Sequence, residues 1–202
     1  FHRNLIARRM CERGVLFHGV EIAGELRHCL ALRERDGRMT EVLDPGPLLP
    51  PRAQQQLLDT LWRCVEDTDA MVLSGSLPRG FEADTYAALL RQIAPRGLPC
   101  LVDASGEALR LAADAGAFLL KPNRDEAAQL AGRAVDTLED AAAVARALHA
   151  RGVAFPVITL GARGALGFDG ADCWHASLAI AHSANAVGSG DCFLAGAAVA
   201  LR

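Results

Sequence analysis

Apolar and polar positions fall into two regimes along this chain. Leu5, Ile6 and Met10 recur at helical spacing within residues 1–13 and Gly14 closes the run, so the chain opens on a predicted helix. Residues 26–33 then alternate apolar with polar side chains, Asp36-Gly37 supplies a turn, and residues 39–43 return. That pattern predicts a small antiparallel hairpin with one face buried and the other wet. Residues 44–51 carry four prolines and read as a linker, because proline denies both helix and ladder hydrogen bonds.

From residue 52 the rhythm changes. Leu57, Leu58, Leu61, Trp62 and Val65 make a helical stripe. Continuous apolar strands are predicted over 70–73, 98–102, 117–120 and 155–160, separated by helices over 83–94, 105–115 (capped by Ser105), 124–131 and 138–150. Strands without alternation, joined by amphipathic helices, specify an α/β fold with a parallel sheet covered on both faces. Two regions are expected: residues 1–50, with the helix and hairpin, and residues 51–202, the α/β core. The chain begins at Phe1 inside a helical run and stops at Arg202 inside an apolar one, so a piece of a longer protein, cut at both ends, is expected.

Composition narrows the classes. A formal charge of −3 over 202 residues gives no basic field for nucleic acid. No apolar run reaches 18 residues and no apolar segment follows Arg3, Arg8 and Arg9, which argues against a membrane span or secretory leader and for a cytoplasmic chain. The six cysteines form no ligand-spaced cluster and are expected to be reduced, buried structural thiols.

The polar punctuation is concentrated. Ser74 and Ser76, Asp103, Lys121 and Asn123, and Thr159 and Gly161 all fall at the carboxyl ends of successive predicted strands, which share one edge in a parallel sheet, where ligands bind. Residues 185–191, Asn-Ala-Val-Gly-Ser-Gly-Asp, lead directly into the apolar helix 192–201. Gly188 and Gly190 let backbone N–H groups converge on an anion, and the helix N-terminus adds positive potential. Asp191 in that first turn is a carboxylate placed to take or orient an acceptor hydroxyl's proton while the amides stabilise a transferring phosphoryl group. An ordinary helix cap has the same local sequence. The dinucleotide fingerprint fails, with Phe193 at its third glycine, and no Gly-x4-Gly-Lys-Ser/Thr occurs. Lys121 is the only lysine beside twenty arginines, a compact charge suited to phosphate in a tight space. Asn123 and Glu126 share the opening turn of the next helix, where they could meet Mg²⁺ through its waters or merely cap the helix.

These segments together resemble the ribokinase-like (PfkB) carbohydrate kinases, in particular the 1-phosphofructokinase and tagatose-6-phosphate kinase branch. The resemblance rests on Gly24-Glu-Leu-Arg27, residues 41–47 (Glu-Val-Leu-Asp-Pro-Gly-Pro), 73–80 (Leu-Ser-Gly-Ser-Leu-Pro-Arg-Gly), 101–106 (Leu-Val-Asp-Ala-Ser-Gly), 121–126 (Lys-Pro-Asn-Arg-Asp-Glu), 159–165 (Thr-Leu-Gly-Ala-Arg-Gly-Ala) and 187–191 (Val-Gly-Ser-Gly-Asp). It implies a catalytic base at Asp191 and an anion hole at Gly188, Ser189 and Gly190. It implies sugar-phosphate contacts at Arg27 and Ser76, and nucleotide contacts at Lys121, Asn123, Thr159, Gly161 and Gly164. Asn123 and Glu126 would govern Mg²⁺. A guanidinium at residue 27 suits a sugar phosphate, whose dianion it can grip bidentately.

The implied reaction is ATP-dependent phosphorylation of a hydroxyl of a ketohexose phosphate, with Mg²⁺, ATP and the sugar phosphate as the small-molecule ligands. The hairpin would be a lid and a homodimer contact. The alternatives are a kinase of an unphosphorylated sugar or nucleoside and an inactive, truncated nucleotide-binding remnant. The sequence departs from the family pattern in lacking its N-terminal sugar-binding Asp and Gly-Gly-x-Gly-x-Asn loop and the adenine-walling elements beyond the last helix. Ser189 replaces the usual Ala, and Leu26 stands where Thr is frequent. Cys192 follows the base; a reactive thiol there is weighed against a small inert side chain. On these departures the 202-residue chain by itself is expected to turn over little or not at all.

Overall fold

The computed structural model describes residues 2–34, 36, 38–179 and 187–201, with backbone only for residues 2–4. The chain forms two compact units, residues 1–67 with 78–81, and residues 68–77 with 82–202.

The first unit holds helix α1 (His2–Cys11), strands β1 (Cys29–Arg33) and β2 (Met39–Leu43), and helix α2 (Pro51–Val65). β1 and β2 pair antiparallel, Cys29 opposite Leu43 and Arg33 opposite Met39, as the alternation predicts; Gly37 of the expected turn lies outside the described residues. All ten strand residues are exposed, so neither face is buried as the alternation suggested. Leu30, Leu32 and Val42 still share one side of the ribbon, which is therefore an uncovered apolar face. Pro51 belongs not to a linker but to α2, at the first helical position, where a missing N–H costs nothing. At the hairpin base the Asp44 carboxylate accepts from the backbone N–H groups of Gly46 and His28, which hold it below the usual carboxylate range and tie Arg27-His28 to the 44–46 turn.

The second unit is built on six strands in the order β3 (Met71–Ser74), β4 (Cys100–Asp103), β5 (Leu119–Leu120), β6 (Phe155–Thr159), β7 (Ala165–Phe168) and β8 (Cys173–Ala176). The first four are parallel and the last two antiparallel. The continuous apolar runs of the sequence predict parallel strands alone; the antiparallel β7 and β8 are additional to them. Both are short and interrupted by polar or glycine residues, but Asp169-Gly170 between them was a readable hairpin signal. Helices α3 (Thr85–Ile93), α4 (Gly106–Ala113), α5 (Arg124–Ala131), α6 (Leu138–Ala150) and α7 (Ser189–Ala200) complete the unit. Ser105 does precede α4, but its side chain makes no capping hydrogen bond and the helix ends at Ala113. Real capping boxes start α5 (Asn123 with Glu126) and α6 (Thr137 with Asp140).

Sheet parity organises the core. Leu101 and Leu119 pair in register on one face and lie under Leu194 of α7, with Val157, Ala197 and Ala198 around them. Val102 and Leu120, turned to the opposite face, are also fully buried, so both sides of the sheet are covered. Among the cysteines only Cys100 is buried, its thiol pushed up to about 12 by loss of solvent; Cys173 is half-buried and the other four are exposed, which corrects the expectation of buried thiols.

Candidate active site

Two residues beyond the apolar tier, the same sheet face turns polar. Val72 pairs with Leu101 and Leu101 with Leu119; one side-chain repeat further along, Ser74, Asp103 and Lys121 follow on the same side. The start of α7 lies over this tier. Its Gly188 adopts the left-handed conformation, φ 81°, that lets the chain turn into the helix. A Cβ on Gly190 would stand 3.3 Å from Lys121 Nζ and 3.4 Å from Asp103 Oδ2, so a glycine lets the first turn settle against both groups. Ser74 Oγ donates to Asp191 Oδ1 at 3.0 Å. Lys121 Nζ lies 2.9 Å from Asp103 Oδ2, and Lys121 is the one buried charged side chain among the described residues, 4% exposed. Burying an ammonium is tolerable only with such a partner.

The strand ends are held in place by backbone bonds. Lys121 N donates to Val102 O, Thr159 N donates to Pro122 O, and Asn123 bridges Thr159, extending the β5–β6 pairing past Lys121. Asn123 Oδ1 accepts from the N–H groups of Asp125 and Glu126, while Asn123 N donates to Glu126 Oε2 at 2.8 Å. The capping role allowed for this pair is therefore present. Burial raises the Glu126 carboxyl above its ordinary range, helped by nearby Asp103 and opposed by the Asn123 amide and Lys121.

Asp103, Lys121, Asn123, Glu126 and the start of α7, though not Ser74, line an open cleft of about 910 Å³ at the carboxyl ends of the parallel strands. Of the residues singled out from sequence, the cleft brings together Lys121, Asn123, Glu126, Thr159, Gly161, Gly164 and the whole turn from Gly188 to Asp191. Ser76 follows β3 but does not line it, Arg27 belongs to the other unit, and Asn185 lies outside the described residues. Gly164 has a packing reason of its own: a Cβ there would overlap the carbonyl oxygen of Ala176 in β8. Ser74 and Asp103, read as strand-end punctuation and given no role, turn out to anchor Asp191 and Lys121. An apolar residue followed two positions later by a polar one, at three successive strand ends, was the signal available.

The model of the pfkB family of carbohydrate kinases matches residues 2–202. The chain belongs to this family. A tagatose-6-phosphate kinase of Staphylococcus epidermidis is 32% identical over 185 residues, 90% of this chain and 59% of that protein. Phosphofructokinase-2 from Escherichia coli in complex with fructose-6-phosphate superposes with a TM-score of 0.84 at 26% identity, covering 98% of this chain and 65% of that one. The tetrameric inhibited form of the same enzyme gives a TM-score of 0.86 at 28% identity over 98% of this chain and 66% of the other. This pfkB member thus spans about three fifths of the length of the curated relatives it matches. The relatives lie in the tagatose-6-phosphate kinase and phosphofructokinase branch, and the mostly parallel, helix-covered sheet is the fold of that branch. Among the described residues no helix is long and apolar enough to cross a membrane.

Proposed function

We propose that this protein is an ATP-dependent kinase that phosphorylates a hydroxyl of a ketohexose phosphate. The observation that carries the reading is the convergence of the Gly188–Asp191 turn and the buried Lys121 on one cleft. The α7 N-terminus and the Lys121 ammonium supply positive potential for the nucleotide's phosphates. Asp191 accepts the proton of the acceptor hydroxyl as that oxygen bonds to the γ-phosphorus; the bond from phosphorus to the β–γ bridging oxygen breaks and ADP leaves. N–H groups of Ser189 and Gly190 face the equatorial oxygens, where charge collects. Thr159, Gly161 and Gly164 wall the nucleotide side.

The donor set also suits Mg²⁺, which when bound neutralises phosphate charge. Among the described residues no three carboxylate, histidine or cysteine side chains form a cage. Magnesium is characteristically held by one or two carboxylates, its own waters and substrate phosphates. Glu126 and the neighbouring Asp103 offer such oxygens, with Asn123 Oδ1 already engaged in capping. By the resemblance to the family, Arg27 and, separately, Ser76 are proposed as contacts of the phosphorylated sugar. Residues 1–50 are proposed as the lid region and its β1–β2 ribbon as a homodimer contact.

The test measures ADP release by the intact protein with ATP and a panel of ketohexose phosphates. Asp191→Asn is expected to abolish turnover while leaving ATP binding nearly intact; retained turnover rejects Asp191 as the base. Arg27→Leu is expected to raise KM for the sugar phosphate roughly a hundredfold, the scale of a charge pair lost from a bound complex. An unchanged KM would favour an unphosphorylated sugar or a nucleoside as acceptor instead.

A further inference from the structure

We infer that Ser74 is a positioning residue for the Asp191 carboxylate, an inference that rests on the proposed role of Asp191 as the base. Ser74 is the last residue of β3, paired in register with Asp103, and the N–H of Gly75 donates to Asp103 O at 2.9 Å. The strand end is thereby fixed to its neighbour up to and beyond the serine. Sheet parity aims Ser74 at the face that α7 covers, and its hydroxyl reaches Asp191, 117 residues away in sequence, at 3.0 Å.

A carboxylate in the first turn of a helix has several side-chain rotamers open to it. One donor on Oδ1 selects among them and leaves Oδ2 to receive the acceptor's proton. Ser74 thus does for Asp191 what Asp103 does for Lys121: adjacent strand ends each hold one working group of the cleft. The hydroxyl touches neither substrate in this scheme, so its removal acts on the chemical step and not on binding. Ser74 is exposed, so truncation leaves no buried polar partner to unfold the chain.

The experiment compares Ser74→Ala, Ser74→Thr and Asp191→Asn in the intact protein, with steady-state kinetics and ¹³C spectra of the aspartate carboxyl groups. Ser74→Ala is expected to lower kcat roughly tenfold to a hundredfold with both KM values within about twofold, since a misplaced reacting group costs rate and not affinity. Ser74→Thr, which keeps the hydroxyl, is expected to restore kcat. The Asp191 carboxyl resonance, identified by its loss in Asp191→Asn, is expected to move in Ser74→Ala and hold in Ser74→Thr. An unmoved resonance in Ser74→Ala overturns the inference, as does a raised KM with kcat unchanged. Full turnover by Asp191→Asn would instead defeat the proposed base, and the resonance would still report whether Ser74 orients that carboxylate.

Discussion

Lys121 and Asp103 carry the strongest energetic constraint at the level of single side chains. An ammonium moved out of water costs several kcal/mol unless paired, and here one carboxylate oxygen at 2.9 Å supplies the pairing. Asp103→Asn leaves the charge buried and is expected to destabilise the fold by about 3 kcal/mol. In thermal unfolding that corresponds to a melting point lower by roughly 10 °C for a unit of this size. Lys121→Met is expected to cost less stability, because Asp103 is the more solvated partner, yet to remove nucleotide affinity in a binding titration. Equal melting points for wild type and Asp103→Asn would show that Lys121 is not paired as described. The lone lysine was conspicuous in the sequence, but its partner was not, because nothing local links residues 103 and 121.

At the level of elements, the cleft depends on how strands end and how one helix begins. Beyond Asp191 helix α7 is apolar, so its sequence announces burial, but only tertiary packing shows that Leu194 lands on Leu101 and Leu119 and so puts Gly190 beside Lys121. The far wall depends on Gly164, with φ 87° and the Ala176 carbonyl where a side chain would project. Gly164→Ala is expected to cost about 3 kcal/mol, from backbone strain together with overpacking, and to expose β8 to amide exchange. Unchanged protection of residues 173–176 would refute that account. The resemblance to the family marked the same glycine as a phosphate contact, and a single residue can meet both demands.

Across the molecule, the hairpin poses the clearest physical question. A two-stranded ribbon with Leu30, Leu32 and Val42 on one uncovered side is marginal in water by itself. If it is the homodimer contact proposed above, the intact protein should run as a dimer in light scattering. Leu30→Glu with Val42→Glu, a directly opposed cross-strand pair, should then yield a folded monomer. A wild type that is monomeric at high concentration would refute the contact.

Local chemistry along the chain was sufficient for the alternation of strands and helices in the core, the hairpin pairing, the capping pair Asn123–Glu126 and the glycine-rich turn before α7, because each is decided by residues within a few positions of one another. Long-range packing decided the rest: that the hairpin's apolar side stays exposed, and that Ser74 and Asp103 become anchors. Those outcomes turn on which sheet face a strand end presents and what settles over it, a register between segments that no short stretch of sequence contains.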